Sequence, residues 1–196
     1  MTTVDYAIFY TTGSCGHFLK SVIHSYLTGD TSGLVLSTPA HMHEFKTKIN
    51  KVVHSHSTNI EHEISRYSKK PTVILVDYDD TDIDLIARLN FEKYITEFWV
   101  AHKVYEKFNS AWDANTDPLA DSIKQDILNI TTKYIKAWRT EIDYSQATHI
   151  INFKTIIGLD EFDLDKQIME ITNRLPNAEI KQFINTYQLR NKELYT

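Results

Sequence analysis

The stretch Thr11-Thr-Gly-Ser-Cys-Gly-His17 holds the densest set of groups able to do chemistry in this chain. Two of the five glycines, Gly13 and Gly16, flank this one turn. A helix that starts beside such a turn presents several backbone N–H groups and the positive end of its dipole, a combination that suits phosphate or sulfate. Glycine lets the backbone approach an anion and adopt positive φ. If Gly16 has negative φ, it serves only that approach, and valine there would block a ligand while sparing the fold. Ser14 can donate a hydroxyl, and His17 a ring N–H or, near neutral pH, a positive charge. A plain strand-to-helix turn with Ser14 as N-cap accounts for the same residues. The spacing is neither G-x-x-x-x-G-K-[ST] nor G-x-G-x-x-G.

Nine histidines in 196 residues form a second set. His41-Met-His43 and His54-Ser-His56 are i, i+2 pairs, followed by Glu61-His-Glu63. An extended pair shares one face and could chelate a transition metal. The helical H-E-x-x-H arrangement is missing, and histidines in so polar a stretch read as solvated surface, so no metal is expected. A histidine from this segment could instead reach over a sheet edge as a general base toward an acceptor hydroxyl. His41 and His43, just after the second expected strand, are the best placed. With His17 they are the catalytic candidates.

The third set is acidic. Val73-Ile-Leu-Val-Asp77 ends an apolar run in aspartate and leads to Asp79, Asp80, Asp82 and Asp84. It resembles a Walker B strand, whose aspartate positions Mg²⁺ near a phosphate. Helix capping and the helix dipole explain the same carboxylates, and the expectation is a helix entrance without a tight metal site. His102, Trp99, Trp112 and Trp138 lie in apolar helical stripes and read as core.

The elements that must position these groups alternate between strand and helix. Tyr6-Ala-Ile-Phe-Tyr10 and Thr72-Val-Ile-Leu-Val76 are continuous apolar runs, as in strands covered on both faces of a parallel sheet. These two strands, spanning 6–11 and 72–77, are expected side by side or nearly so in the middle of the sheet. Phe18, Leu19, Val22, Ile23, Tyr26 and Leu27 repeat at helical spacing until Gly29. Gly33-Leu-Val-Leu-Ser37 reads as a second strand, and residues 40–70 as one helix plus loops. Helical patterns run from Ile83 to Tyr105 and from Asn115 to Trp138. His149-Ile-Ile-Asn-Phe153 is a last strand, and two helices around 164–175 and 178–194, divided by Pro176, close the chain. This pattern predicts one three-layer α/β domain over 1–196, with a mainly parallel central sheet and a helical insertion at about 83–140.

Tyr10-Thr-Thr-Gly-Ser-Cys-Gly-His-Phe-Leu19, set between a first strand and a first helix, resembles the phosphosulfate-binding loop of the P-loop sulfotransferase family and its small viral relatives. Lys70-Pro-Thr-Val-Ile-Leu-Val-Asp77 is similar to the family's central strand. Ile151-Asn-Phe-Lys-Thr-Ile-Ile157, Leu164-Asp-Lys-Gln-Ile-Met-Glu-Ile171 and Phe183-Ile-Asn-Thr-Tyr187 follow its last strand and terminal helices in order and hydrophobic pattern. The resemblance implies a P-loop-like domain in which Thr12, Gly13, Ser14, Cys15, Gly16, His17 and Phe18 wrap the 5′-phosphosulfate of PAPS. It further implies transfer of a sulfuryl group to a hydroxyl or amine acceptor. The chain departs from the family where a basic residue usually precedes the loop's Ser-Gly, and where an arginine and a serine hold the 3′-phosphate after the central strand.

Composition narrows the alternatives. A single cysteine excludes a disulfide framework and a four-cysteine zinc site and fits a reducing compartment. A net charge of −5 without a Lys/Arg cluster argues against nucleic acid as a partner. No run approaches the ~20 apolar residues of a membrane span, and no secretory signal is visible, so a cytoplasmic location is expected, in the host cell if the chain is viral. Few Gly, Pro and Arg with many Ile, Asn, Lys and Tyr fit an AT-rich genome. Two further functions compete with sulfuryl transfer. One is a P-loop nucleotide-binding or phosphoryl-transfer module with Asp77 holding Mg²⁺. The other is a non-catalytic viral structural or accessory protein that keeps the fold. The acceptor and the oligomeric state are left open.

Overall fold

The structure is a computed structural model, and it describes residues 3–11, 13–32, 34, 51–88 and 121–195. In chain order the elements are β1 (Tyr6–Phe9), α1 (Gly16–Thr28), β2 (Val52–Ser55), α2 (Ile60–Ile64), β3 (Thr72–Asp77), α3 (Asp121–Glu141), β4 (His149–Asn152), α4 (Phe153–Ile157), α5 (Leu164–Thr172) and α6 (Ala178–Tyr195). Residues 83–88 are also helical. All strand pairings are parallel, in the order β2-β1-β3-β4. The register sets Ile8 between His54 and Ile74, and Leu75 between Phe9 and Ile150. Helices flank this sheet, giving a three-layer α/β domain.

The two runs that are apolar on every side chain are the two central strands. Ile8 and Val73 through Val76 have no exposed surface, as only strands covered on both faces can. The outer strands of this sheet are less buried: β2 is half-buried beyond Val52, and Ile150 of β4 is 51% exposed.

β2 corrects the sequence reading. The strand expected at 33–37 falls outside the described residues except for Leu34, while a strand forms at 52–55, in the stretch read as one helix plus loops. Its two valines supply too short an apolar run to stand out. An outer strand needs only one buried face, and the backbone of β1 completes its hydrogen bonds. The N–H groups of Asp5 and Tyr6 both donate to the Lys51 carbonyl at 2.9 Å, which starts the ladder. Of the expected insertion, 83–88 and 121–141 are described, and both are helical.

One layer is α1 with α5 and α6. Phe18 stacks on Tyr187 with ring centroids 3.7 Å apart, and the Tyr26 hydroxyl donates to Asp165. On the other side, the C-terminal half of α3 is tied to the ends of two strands. The Tyr78 hydroxyl donates to the Ile135 carbonyl at 2.9 Å, and the Trp138 indole N–H donates to the His56 carbonyl at 2.7 Å.

The acidic stretch after β3 is a helix entrance held from α4. Lys154 Nζ lies 3.0 Å from Asp82 Oδ1 and 3.2 Å from Asp79 Oδ2, and it donates to Thr81 Oγ1 at 3.2 Å. The other oxygen of Asp82 accepts the Asp79 N–H at 3.0 Å. Because the Asp82 side chain is only 2% exposed, its charge depends on this lysine. Lys154→Met should therefore lower stability by about 1–3 kcal/mol, less than for a fully buried pair because the lysine itself is partly in water. Urea unfolding would show this as a lower midpoint at unchanged slope.

Asp79 adds a pH signature. The Thr81 hydroxyl first, then Lys154, hold its carboxyl down at about 2, against an opposing effect of burial. A depressed folded-state pKa gives stability that is complete above the unfolded value of about 3.9 and is lost as pH falls from there toward about 2. Lys154→Met should flatten that acid limb in a series of melts between pH 5 and pH 2.

Candidate functional site

Residues 13–18 form a closed turn. Gly13 takes φ 88°, the left-handed region that glycine tolerates. The Ser14 N–H and hydroxyl both donate to the Thr11 carbonyl, at 3.2 and 2.8 Å. Ser14 thus folds the turn and is not the N-cap. That position belongs to Cys15, in the left-handed conformation at φ 63° with no side-chain cap bond. The Tyr187 hydroxyl of α6 donates to Cys15 Sγ at 3.1 Å, and burial pushes the thiol up to about 11. Cys15 is therefore a protonated core residue and a poor nucleophile.

Gly16 begins α1 without positive φ. A Cβ at Gly16 would lie 2.1 Å from Cδ1 of the Tyr10 ring. The glycine is there for the buried tyrosine directly after β1, which corrects the expectation that valine at this position would leave the fold intact. Phe18, stacked on Tyr187, is core as well. Thr12 lies outside the described residues.

Around Tyr10 the fold gathers three histidines. The His56 and His54 rings lie 4.3 and 5.8 Å from the Tyr10 ring, and the His17 ring lies 4.3 Å from His54, tilted by 54°, and 5.8 Å from Tyr10, edge-on. His56 Nδ1 is 2.9 Å from the Tyr10 carbonyl. In the neutral ring Nδ1 then carries the proton and Nε2 the lone pair. Burial, with Lys20 and His56 adding to it, holds His54 down at about 4, so it is uncharged at neutral pH. Among the described residues no group of three or more His, Cys, Asp or Glu side chains is arranged to hold a metal ion. The three imidazoles surround one phenol in edge-on and tilted contacts. His41 and His43 lie outside the described residues, and His56, which follows the observed β2, takes the place at the sheet edge that was expected of them.

A cleft of about 710 Å³ opens at the C-terminal end of β3, lined by Asp77, Asp80, Ile83, Lys136, Arg139, Thr140 and Tyr144. In the order β2-β1-β3-β4 the chain leaves β1 toward one side and β3 toward the other. The topological switch point, where open α/β folds take ligands, therefore lies between β1 and β3, and the cleft opens next to it on the β3 side. Lys136, Arg139 and Thr140 stand at i, i+3 and i+4 on one face of α3. The Tyr144 hydroxyl donates to Asp77 at 2.6 Å; burial first, then Asp77, pushes that phenol up to about 12. Arg139 Nη1 lies 2.6 Å from Asp80 Oδ1, and its Nε 4.0 Å from Asp77. Lys136 is exposed and belongs to no ion pair among the described residues. The Thr140 hydroxyl donates to the Lys136 carbonyl at 2.9 Å, so the donors left for an anion in this wall are the two cations, with the two carboxylates fixing the guanidinium.

The sequence pattern singles out Asp77 but not Lys136, Arg139, Thr140 or Tyr144. The available signal was the polar i, i+3, i+4 set on the face of α3 away from Ile135 and Trp138. No family model, curated protein or solved structure matches the chain. The site and the fold, a parallel three-layer α/β domain with a polar cleft at the C-terminal sheet edge, are what its function is read from.

Two outcomes test the closed turn. Gly16→Ala should cost about 1–3 kcal/mol through overpacking against Tyr10, and a double-mutant cycle with Tyr10→Leu should return a clear coupling energy. Cys15 should react slowly with a disulfide reagent at pH 8 in the native protein and rapidly in guanidinium.

Proposed function

We propose that this protein binds a nucleotide-sized anion carrying phosphate or sulfate in the cleft between β3 and α3, and that the reaction served there is sulfuryl transfer from PAPS. The observation that carries the binding half is the pairing of Lys136 with the carboxylate-braced Arg139 at the C-terminal sheet edge, in a cleft of nucleotide size. The reaction class rests on the resemblance of the loop at 10–19. In such a transfer the bond from sulfur to the phosphate oxygen breaks and its electron pair stays on the leaving phosphate. The acceptor oxygen forms the new bond to sulfur and gives its proton to a base. His17 and His56 are the candidate bases. Trp138, next to Arg139 in α3, joins the His56 carbonyl and so connects the histidine group to the cleft wall.

The closure of the turn favours a second reading, in which the chain keeps the layout without the chemistry. The donors of Ser14 are used inside the turn, and Cys15 and Gly16 are packed under Tyr187 and Tyr10.

A thermal-shift series with PAPS, PAP, ATP·Mg²⁺ and zinc separates the readings. PAPS and PAP should raise the midpoint, by about 2.7 kcal/mol of stabilisation at a hundredfold excess over Kd. Lys136→Ala should weaken either ligand about tenfold, as expected for one charge-assisted contact. A shift with ATP only in the presence of Mg²⁺ would support the phosphoryl-transfer alternative. No shift with any of the four would leave the non-catalytic reading standing.

A further inference from the structure

The opposite edge of the sheet carries a second polar pocket, of about 330 Å³. Because the strands are parallel, their starts all lie on this side, and the chain places a cation at two of them: Lys51 directly before β2, and Lys69 and Lys70 before β3. Arg174 joins them from the turn after α5, where Asn173 closes the helix in the left-handed conformation. All four side chains are exposed, and among the described residues none is within ion-pair distance of a carboxylate. Among the described residues the acid lining the pocket is Asp5, whose main chain is already used in the ladder, donating to Lys51 and accepting from Thr72.

The bland account of such cations is that they balance helix C-termini. Both α1, through Leu27, and α5, through Thr172, do end at this pocket. Each helix end is worth about half a negative charge. Together with Asp5 they offset about two of the four positive charges. A positive excess remains in a chain whose net charge is −5.

We propose that this pocket is a binding site for a small polyphosphate, an anion with at least two linked phosphoryl groups, separate from the cleft at the other sheet edge. Four flexible or forked cations around one concavity match charge spread over several oxygens better than a single carboxylate, and the arginine fork suits phosphate oxygens in particular. The pocket is too small for a nucleotide to be enclosed but ample for a di- or triphosphate. The inference rests on this edge alone and does not depend on the reading of the cleft.

Isothermal titration of the intact protein with orthophosphate, pyrophosphate and tripolyphosphate, at low and high salt, tests it. Pyrophosphate and tripolyphosphate should bind at one per chain, at least about tenfold tighter than orthophosphate, with affinity falling steeply as salt rises. Lys69→Gln/Lys70→Gln and Arg174→Gln should each weaken tripolyphosphate about tenfold. Asp5→Asn should tighten it, and Lys136→Ala, in the far cleft, should leave it unchanged. Circular dichroism confirms that each variant is folded. The proposal is overturned by the absence of binding heat, by affinity no better than for orthophosphate, or by loss in Lys136→Ala with the edge variants unaffected. A single-stranded oligonucleotide or polyglutamate binding more tightly than tripolyphosphate would overturn the small-ligand assignment in favour of a macromolecular one.

Discussion

The parallel pairing of β1 with β3 is the contact on which the remaining structure depends. Neither strand has a polar side chain between Ala7 and Phe9 or between Val73 and Val76, so both faces must be covered and neither strand can lie at an edge. Full burial of each large aliphatic side chain is worth about 1.5–3 kcal/mol, against a net stability of roughly 5–15 kcal/mol for a typical domain. Misplacing even two of these residues would use up most of that margin. Once the two strands lie side by side, the turn at 13–16 and the acidic turn at 77–82 must emerge together at one end, and Asp5 and Lys70 at the other. There β2, on the free edge of β1, adds Lys51. The sites at the two edges follow from this one pairing.

The same burial limits what the turn after β1 can do. Tyr10, directly after β1, has 2% of its surface exposed, and its ring fits only because Gly16 has no side chain. Tyr187 reaches Cys15 from α6, and Phe18 stacks beneath it. Glycine here provides room for a tyrosine of the same protein, where in an open loop it would provide room for a ligand. The residue type is the same in either case, so the turn's composition alone does not distinguish them.

Much of the fold was legible because it rests on long or strongly periodic signals. The central strands, β4, α1 and the two terminal helices follow from apolar runs, helical spacing and the breaks at Gly29 and Pro176. β2 was not legible, because Val52-Val53 gives two apolar residues within a polar, histidine-rich stretch, and what makes it a strand is the free ladder edge of β1. At the site, His17 was visible from its position after the glycines. The grouping of His17 with His54 and His56 was not, since it depends on that same unrecognised pairing. The cleft is less legible still: Asp77 and Arg139 are far apart in sequence, and α3 reads first as a stripe of core residues.

The electrostatics of the cleft then decide which kind of ligand it accepts. Asp77 is engaged by the Tyr144 hydroxyl at 2.6 Å and faced by Arg139, which Asp80 holds at 2.6 Å. A hard cation seated on Asp77 would have to take the carboxylate from these donors, and bonds to charged groups are worth about 1.5–3 kcal/mol each. It would also sit beside a guanidinium, with like charges in contact. An anion meets the opposite situation. Among the described residues Lys136 stands outside any ion pair, and Arg139 is fixed by its carboxylates with its remaining N–H donors available by count. The carboxylates that make the turn look like a metal site are therefore the groups that orient Arg139, and the polarity of the cleft is set by α3 as well as by the strand that leads into it.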